Sequence, residues 1–169
     1  ARNAQTREVI SVSDATEVEH ATQFAGYDHA NLSDFATSIS AIVEGPDADF
    51  VIMPQTPFYA EKGGQVGDTG FIEINGTARE VFDTKMDNAG HILHKVRKGV
   101  FKKDCIGSEV SVTVDIVRRR AIERHHSATH ILHWAMRQVL GTHVRQAGSY
   151  VDPDRLRFDF THFEAPTPE

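Results

Sequence analysis

FIEINGTAREVFD, residues Phe71 to Asp83, sets apolar and polar side chains in short runs on either side of Asn75-Gly76. Asn-Gly is a strong two-residue hairpin signal, since both positions accept the positive φ angles of such a turn. The stretch therefore predicts a pair of antiparallel strands. Similar runs lie on both sides of it: SISAIVEGPDADFVIM ahead (Ser38 to Met53), then HILHKV after Asn88-Ala89-Gly90, and EVSVTVD, where Val110, Val112 and Val114 alternate with polar residues. Many short strands punctuated by glycine imply a small barrel.

The pattern changes near Asp115. From there VRRRAIERHHSATHILHWAMRQVLG runs to Gly141 with no proline or glycine inside it, which predicts one helix closed by a glycine. On a helical wheel Ala121, Ile122, Ala128, Leu132, Ala135, Met136, Val139 and Leu140 gather on one side, a face suited to packing on a sheet. QAGSYV and LRFDF follow as two strands joined by Asp152-Pro153-Asp154-Arg155. In the second, Leu156, Phe158 and Phe160 point one way and Arg157 and Asp159 the other. The expected fold class is α+β: a small glycine-containing β-barrel over 21–115, then part of a two-layer α/β sandwich over 116–169. Residues 1–20 read as a linker remnant.

With 169 residues, 40% of them hydrophobic and 25% charged, the chain can bury a core. No apolar run approaches the roughly 18 to 20 residues that cross a bilayer, and ARNAQTREVI lacks the pattern of a secretion signal. Together with a single cysteine, Cys105, these features lead us to expect a cytoplasmic protein without a membrane partner. The net charge of -6 speaks against bulk attraction to polyanions, yet the charge is uneven. Arginines dominate between Arg118 and Arg157. Arg118, Arg119, Arg120 and Arg157 are the candidates for contact with nucleic acid, the alternative being a solvated face.

Two constellations hold side chains that do chemistry. His126 and His130 are one helical turn apart, with His133 nearby at the border of the apolar face. They suit metal ligands or proton carriers, or else half-buried histidines satisfied by packing. Two ligands are half of a zinc site, since structural sites use four and catalytic sites three. The second constellation is TPFYAEKGGQVGDTG, Thr56 to Gly70. Gly63 and Gly64 allow positive φ and close approach to a ligand, and Gln65 offers a donor and an acceptor. The alternative is a glycine turn between strands.

In its longer motifs the chain resembles the editing region of alanyl-tRNA synthetase. FAGYD (Phe24 to Asp28), TPFYAEKGGQVGDTG, VRRRAIERHHSATHILHWAMRQVLGTHV and QAGSYVDPDRLRFDF occur in that family's order. The resemblance implies a barrel bearing the Gly-Gly-Gln loop, an α/β zinc-binding unit, and a cleft between them. It implies zinc on His126 and His130, and Thr56 as the group that meets the hydroxyl of a misattached serine. The family's second ligand pair, Cys-x-x-x-His, has no counterpart before Glu169, so the zinc site is expected to be incomplete in this chain. The preceding aminoacylation domain, which holds ATP and magnesium and charges tRNA(Ala) with alanine, is also expected to lie outside it.

What this implies is hydrolysis of Ser-tRNA(Ala) and Gly-tRNA(Ala) at the acceptor end. Gln65, with the backbone of Gly63 and Gly64, would place the ester or the attacking water, zinc would anchor substrate or activate water, and His133 is a candidate proton carrier. The isolated chain is expected to be inactive, and native oligomerisation is not encoded in it. Alternatives are a free-standing deacylase and an inert tRNA-docking or folding segment. The threonyl-tRNA synthetase editing domain shares the histidine helix but lacks the TPFYAEKGGQ segment.

Overall fold

The computed structural model describes Val18 and residues 20–163. Most of the expected linker 1–20, and residues 164–169 of the expected α/β unit, lie outside the described residues. Eleven strands and one long helix follow in order: β1 Gln23–Phe24, β2 Phe35–Ser38, β3 Ala41–Glu44, β4 Ala48–Ile52, β5 Gln55–Thr56, β6 Gly70–Ile74, β7 Thr77–Met86, β8 Ile92–Arg97, β9 Glu109–Val114, α1 Ile116–Leu140, β10 Arg145–Val151 and β11 Leu156–Thr161. The class is α+β. Among the described residues, no helix is long and apolar enough to cross a membrane.

Seven strands form one antiparallel sheet in the order β2-β9-β6-β7-β8-β4-β3. Its seed is the hairpin of β6 and β7, which pairs Ile74 with Thr77 around Asn75 (φ 50°) and Gly76 (φ 71°). Both turn residues have the positive φ that a two-residue turn of this hand requires. The sheet is a curled half-barrel. Its edge strands β2 and β3 are joined by Ile39 and Ser40, which bond to opposite ends of the sheet: Ile39 N–H to Ser108 O at 3.1 Å and Ser40 N–H to Ile52 O at 2.8 Å.

Alternation decides what the curl encloses. Ile72 on β6, Val81 on β7, Val96 on β8 and Val110, Val112 and Val114 on β9 point inward, with Leu32, Met53 and Phe58 closing the core. β4 is buried along its whole length, because its other face meets a second cluster of Ala41, Phe50, Ile52 and Leu93. Fully burying a side chain such as Phe58 or Ile72 stabilises the fold by about 1.5–3 kcal/mol.

Asp115 turns the chain out of the half-barrel into α1: its N–H bonds Thr69 O at 2.8 Å, and its carboxylate accepts from Arg118 N–H at 2.9 Å. That is a side-chain cap at the helix start. Gly141, at φ 112°, ends the helix. β10 and β11 return along it as an antiparallel pair, and Leu156, Phe158 and Phe160 are turned inward as the alternation predicts. The wheel-based apolar face needs correction. Of its eight residues only Ile122 is buried, while Leu132 is 39% and Val139 82% exposed. Among the described residues the sheet along α1 has two strands, and the buried residues of the helix are Arg119, Ile122 and Thr129, the first of them covered by Gly26, Pro57 and Asp68.

Candidate functional site

Between β5 and β6, residues 57–69 reach from the half-barrel to the helical unit. Lys62 and Gln65 face each other in a two-residue turn, with Lys62 N–H to Gln65 O at 3.1 Å and Gln65 N–H to Lys62 O at 3.0 Å. Gly63 (φ 62°) and Gly64 (φ 87°) are its tip, and both positive values disfavour any residue with a Cβ. The tip docks on β10. Val151 N–H bonds Gly64 O at 2.8 Å, Val66 N–H bonds Val151 O at 3.0 Å, and Ser149 Oγ donates to Gly63 O at 3.2 Å.

The two glycines differ in surroundings. A Cβ on Gly64 would come 2.2 Å from Ser149 O, whereas one on Gly63 would meet nothing within 4 Å. Gly63→Ala is therefore expected to cost only the left-handed backbone penalty of about 1–2 kcal/mol. Gly64→Ala adds a collision with backbone and should cost about 1 kcal/mol more. Urea unfolding of the two variants checks this, and equal losses would contradict the tight docking of Gly64 on β10.

Docking the turn carries Gln65 to α1. Its side chain is 8% exposed, and Oε1 lies 2.8 Å from His126 Nδ1. An amide oxygen only accepts, so Nδ1 carries the proton and Nε2 of the neutral ring keeps its lone pair. His130 Nε2 lies 3.0 Å from His126 Nε2 and donates to it. Among the described residues no hydrogen bond uses the Nε2 donors of Gln65. The turn from the half-barrel and the two imidazoles thus meet in one chain of contacts. His125 anchors the same helical turn to the β10–β11 loop through Nδ1 and Asp152 O at 2.8 Å.

His133 lies apart from this chain of contacts. Its ring is 5.1 Å from that of Phe158, its Nε2 is buried with no hydrogen-bond partner among the described residues, and it lines, with His130, Trp134 and Arg137, a cavity of about 350 Å³.

Burial bears on two of the expected site residues. Thr56 is fully buried, its hydroxyl lying 2.8 Å from His94 Nε2 and accepting from Phe58 N–H at 3.2 Å. That hydroxyl is engaged inside the half-barrel. Arg119 is 5% exposed and engaged by Asp68, Pro57 O and Gly26 O. Arg118 donates to Gly67 O at 2.8 Å and also joins the two units. Arg120 and Arg157 remain exposed, the latter 3.2 Å from Asp159.

Reading the sequence missed Ser149 and Asp68. Asp68 is the only acid among the glycines of GGQVGDTG, an available sign that it has a specific partner. Ser149 gives no such sign, since its role comes only from where the turn docks.

Comparison with known proteins relates the sequence to a family. Alanine-tRNA ligase of Opitutus terrae is 45% identical over 175 residues, spanning 99% of this chain and 18% of the relative. The corresponding ligase of Acetivibrio thermocellus is 55% identical over 125 residues, 73% of this chain and 14% of the relative. That of Thermus thermophilus is 48% identical over 157 residues, 88% of this chain and 17% of the relative. The chain thus spans less than a fifth of the length of these relatives. The family described as tRNA synthetases class II (A) matches through its sequence model over residues 1–118. With more than half of its length inside that match, the chain belongs to the class II (A) tRNA synthetases.

Proposed function

We propose that this chain is the editing segment of an alanyl-tRNA synthetase, and that its cleft hydrolyses the ester of Ser-tRNA(Ala) and Gly-tRNA(Ala). The observation that carries this is the contact of Gln65 Oε1 with His126 Nδ1 at 2.8 Å, because it joins the glycine turn of one unit to the histidine pair of the other. Its chemical need follows from the charging reaction. An alanine pocket separates alanine from serine or glycine by one small group, worth about 1–3 kcal/mol, or roughly 10- to 200-fold. A second site that destroys the wrong product raises that ratio.

In this reading Gln65 orients two things at once. Through Oε1 it holds His126 as the tautomer whose Nε2 faces His130. Through its Nε2 donors it can bind the ester carbonyl or the attacking water. The carbonyl groups of Gly63 and Gly64 are tied up by β10, so the turn contributes shape and rigidity, and rigidity is what keeps a reacting group within bonding reach. His133 remains a candidate for moving a proton, its Nε2 having no other engagement.

The histidine pair is compatible with zinc. Two imidazole nitrogens at two corners of a tetrahedral zinc, each about 2.0–2.1 Å from the metal, stand roughly 3.4 Å apart; here Nε2 and Nε2 are 3.0 Å apart and a small ring rotation suffices. Bound there, zinc would supply Lewis-acid polarisation or an anchor for the substrate. Gln65 would then act as the partner that fixes the tautomer of a ligand. Among the described residues no group of three or more His, Cys, Asp or Glu side chains is placed to hold a metal. A complete site would draw further ligands from elsewhere, and this favours a second reading in which the segment alone docks tRNA without cleaving it. ATP and magnesium belong to the aminoacylation reaction and would be bound outside this segment.

The test uses the full-length synthetase. Gln65→His and His130→Ala should each lower hydrolysis of Ser-tRNA(Ala) by about tenfold or more, one ester-directed hydrogen bond or one ligand being worth at least about 1.4 kcal/mol. Alanylation of tRNA(Ala) should hold. Unchanged hydrolysis in both variants would remove these residues from the reaction.

A further inference from the structure

Where β7 begins and β8 ends, the half-barrel holds a cavity of about 390 Å³ whose walls include Asp47, Arg79, Glu80, Phe82 and Arg97. Clefts that take small ligands run from about 300 to 1,000 Å³. Residues facing each other in a ladder share a side of the sheet. Arg79 faces Ile72, which is in the core, so its side chain starts on the inner side and its Nε is buried. Arg97 follows the inward Val96 and starts on the outer side. Two guanidinium groups thus reach one cavity from both sides of the sheet.

Among the described residues neither is committed elsewhere: Nε of Arg79 has no hydrogen-bond partner, and no carboxylate forms an ion pair with either arginine. A buried guanidinium N–H requires an acceptor. The walls are tied down. Lys98 Nζ holds the turn before Asp47 through Gly45 O at 3.0 Å and Pro46 O at 3.1 Å, and Gly99 N–H bonds the Asp49 carboxylate at 2.7 Å. Phe82 is the extra residue of a bulge between Val81 and Asp83, a device that re-aims a side chain. Its ring is 41% exposed and has Lys95 Nζ 5.6 Å from its centre.

Paired arginines recognise phosphate, an exposed ring accepts a base, and carboxylates accept from hydroxyl and amino groups. A bare anion would be repelled by Asp47 and Glu80, whereas a ribonucleotide brings anionic oxygens to the arginines and hydrogen-bond donors to the carboxylates. We infer that this cavity binds one unpaired nucleotide of an RNA strand, its phosphate on Arg79 and Arg97, its base against Phe82, and its 2′-hydroxyl donating to Asp47 or Glu80. The nucleotide is unpaired because a duplex hides the face of its bases. Membership in a tRNA synthetase family favours an RNA strand over a free nucleotide. The cavity is built from β7, β8 and the turn between β3 and β4, without Gln65 or α1, so the inference does not rest on the deacylation reading.

The experiment titrates the 169-residue chain into a labelled single-stranded oligoadenylate RNA of about ten nucleotides and reads fluorescence anisotropy. Phe82→Ser should weaken binding roughly 5- to 150-fold, the usual worth of one base on one ring, while Phe82→Tyr should bind like the parent. Arg79→Gln with Arg97→Gln should lower the slope of log affinity against log salt by about 0.7, the share of one phosphate on a single strand. Asp47→Asn with Glu80→Gln should remove the parent's preference for this strand over the same sequence in DNA. Phe82 and Arg97 are exposed, so Phe82→Ser and Arg97→Gln alone decide the matter if loss of Arg79 unfolds the chain. Equal binding by the parent and these two variants would overturn the proposal, as would no binding by the parent at low salt. So would a loss confined to Arg120→Gln with Arg157→Gln, which would move the contact to α1 and β11. Adenosine monophosphate that displaces the strand at matching concentrations would overturn the RNA assignment in favour of a free nucleotide.

Discussion

Asp68→Ala should destabilise this chain by about 3–5 kcal/mol, the usual cost of removing one partner from a buried ion pair. Asp68 is 1% exposed, and its carboxylate receives Nε of Arg119 at 3.0 and 2.9 Å, the Nη2 group of the same guanidinium, and Tyr59 N–H at 2.8 Å. Arg119 also reaches Pro57 O at 2.9 Å. One guanidinium therefore ties α1, the glycine-rich loop and the loop after β1 together. Without the carboxylate of Asp68, the buried cation keeps only carbonyl oxygens and the half-exposed Glu123, whose Oε1 stands 3.9 Å from Nη1. Against a total stability of about 5–15 kcal/mol, that is a large share. Thermal unfolding should fall by roughly 6–20 °C, at about 2–4 °C per kcal/mol for a chain of this size. Asp68→Leu combined with Arg119→Met should recover most of the loss, because it removes both charges and fills the space. If Asp68→Ala melts with the parent, the pair does not hold the two units together.

The same pair shows where reading the sequence stopped. Local signals carried well: Asn75-Gly76 does turn a hairpin, and Asp115 and Gly141 do bound α1. Alternation in β9 and β11 gave the inward residues, since a strand's faces follow from its own sequence. A run of three arginines, in contrast, does not reveal that its middle member is buried, because the reason is an aspartate 51 residues away. The same holds for Thr56, whose partner His94 is 38 residues on. Within the candidate site, positive φ at Gly63 and Gly64 was legible from composition, and the spacing of His126 and His130 from the helical period. Their meeting through Gln65 was not fixed by either pattern, since it depends on the turn docking on β10. The apolar face of α1 was overread for a related reason: a wheel shows which residues are apolar, but the number of strands laid against them is a tertiary fact.

Acidification should destabilise this chain by about 2–3 kcal/mol through His94 alone. The ring is fully buried, and that burial lowers its pKa from 6.5 to about 4, against a smaller opposing effect of its hydrogen bond to Val51 O. Nδ1 donates to Val51 O at 2.8 Å and Nε2 accepts the Thr56 hydroxyl at 2.8 Å, so a second ring proton would meet a hydroxyl that is itself donating. The folded pKa is below the unfolded one, and the unfolded chain therefore takes up the proton first as pH falls. The contribution of the neutral ring is fully present above about pH 6.5, declines by about 1.4 kcal/mol per pH unit below it, and levels off near pH 4. Carboxylates titrate in the same window, so the measurement is a difference: urea unfolding of the parent and of a His94→Leu, Thr56→Val double variant at several pH values. Removing both polar partners leaves neither the hydroxyl nor the ring unsatisfied, though the Val51 carbonyl loses its donor and Phe58 N–H its acceptor, which are pH-independent costs. The two stability curves should converge by about 2–3 kcal/mol between pH 6.5 and 4, whereas parallel curves would acquit His94.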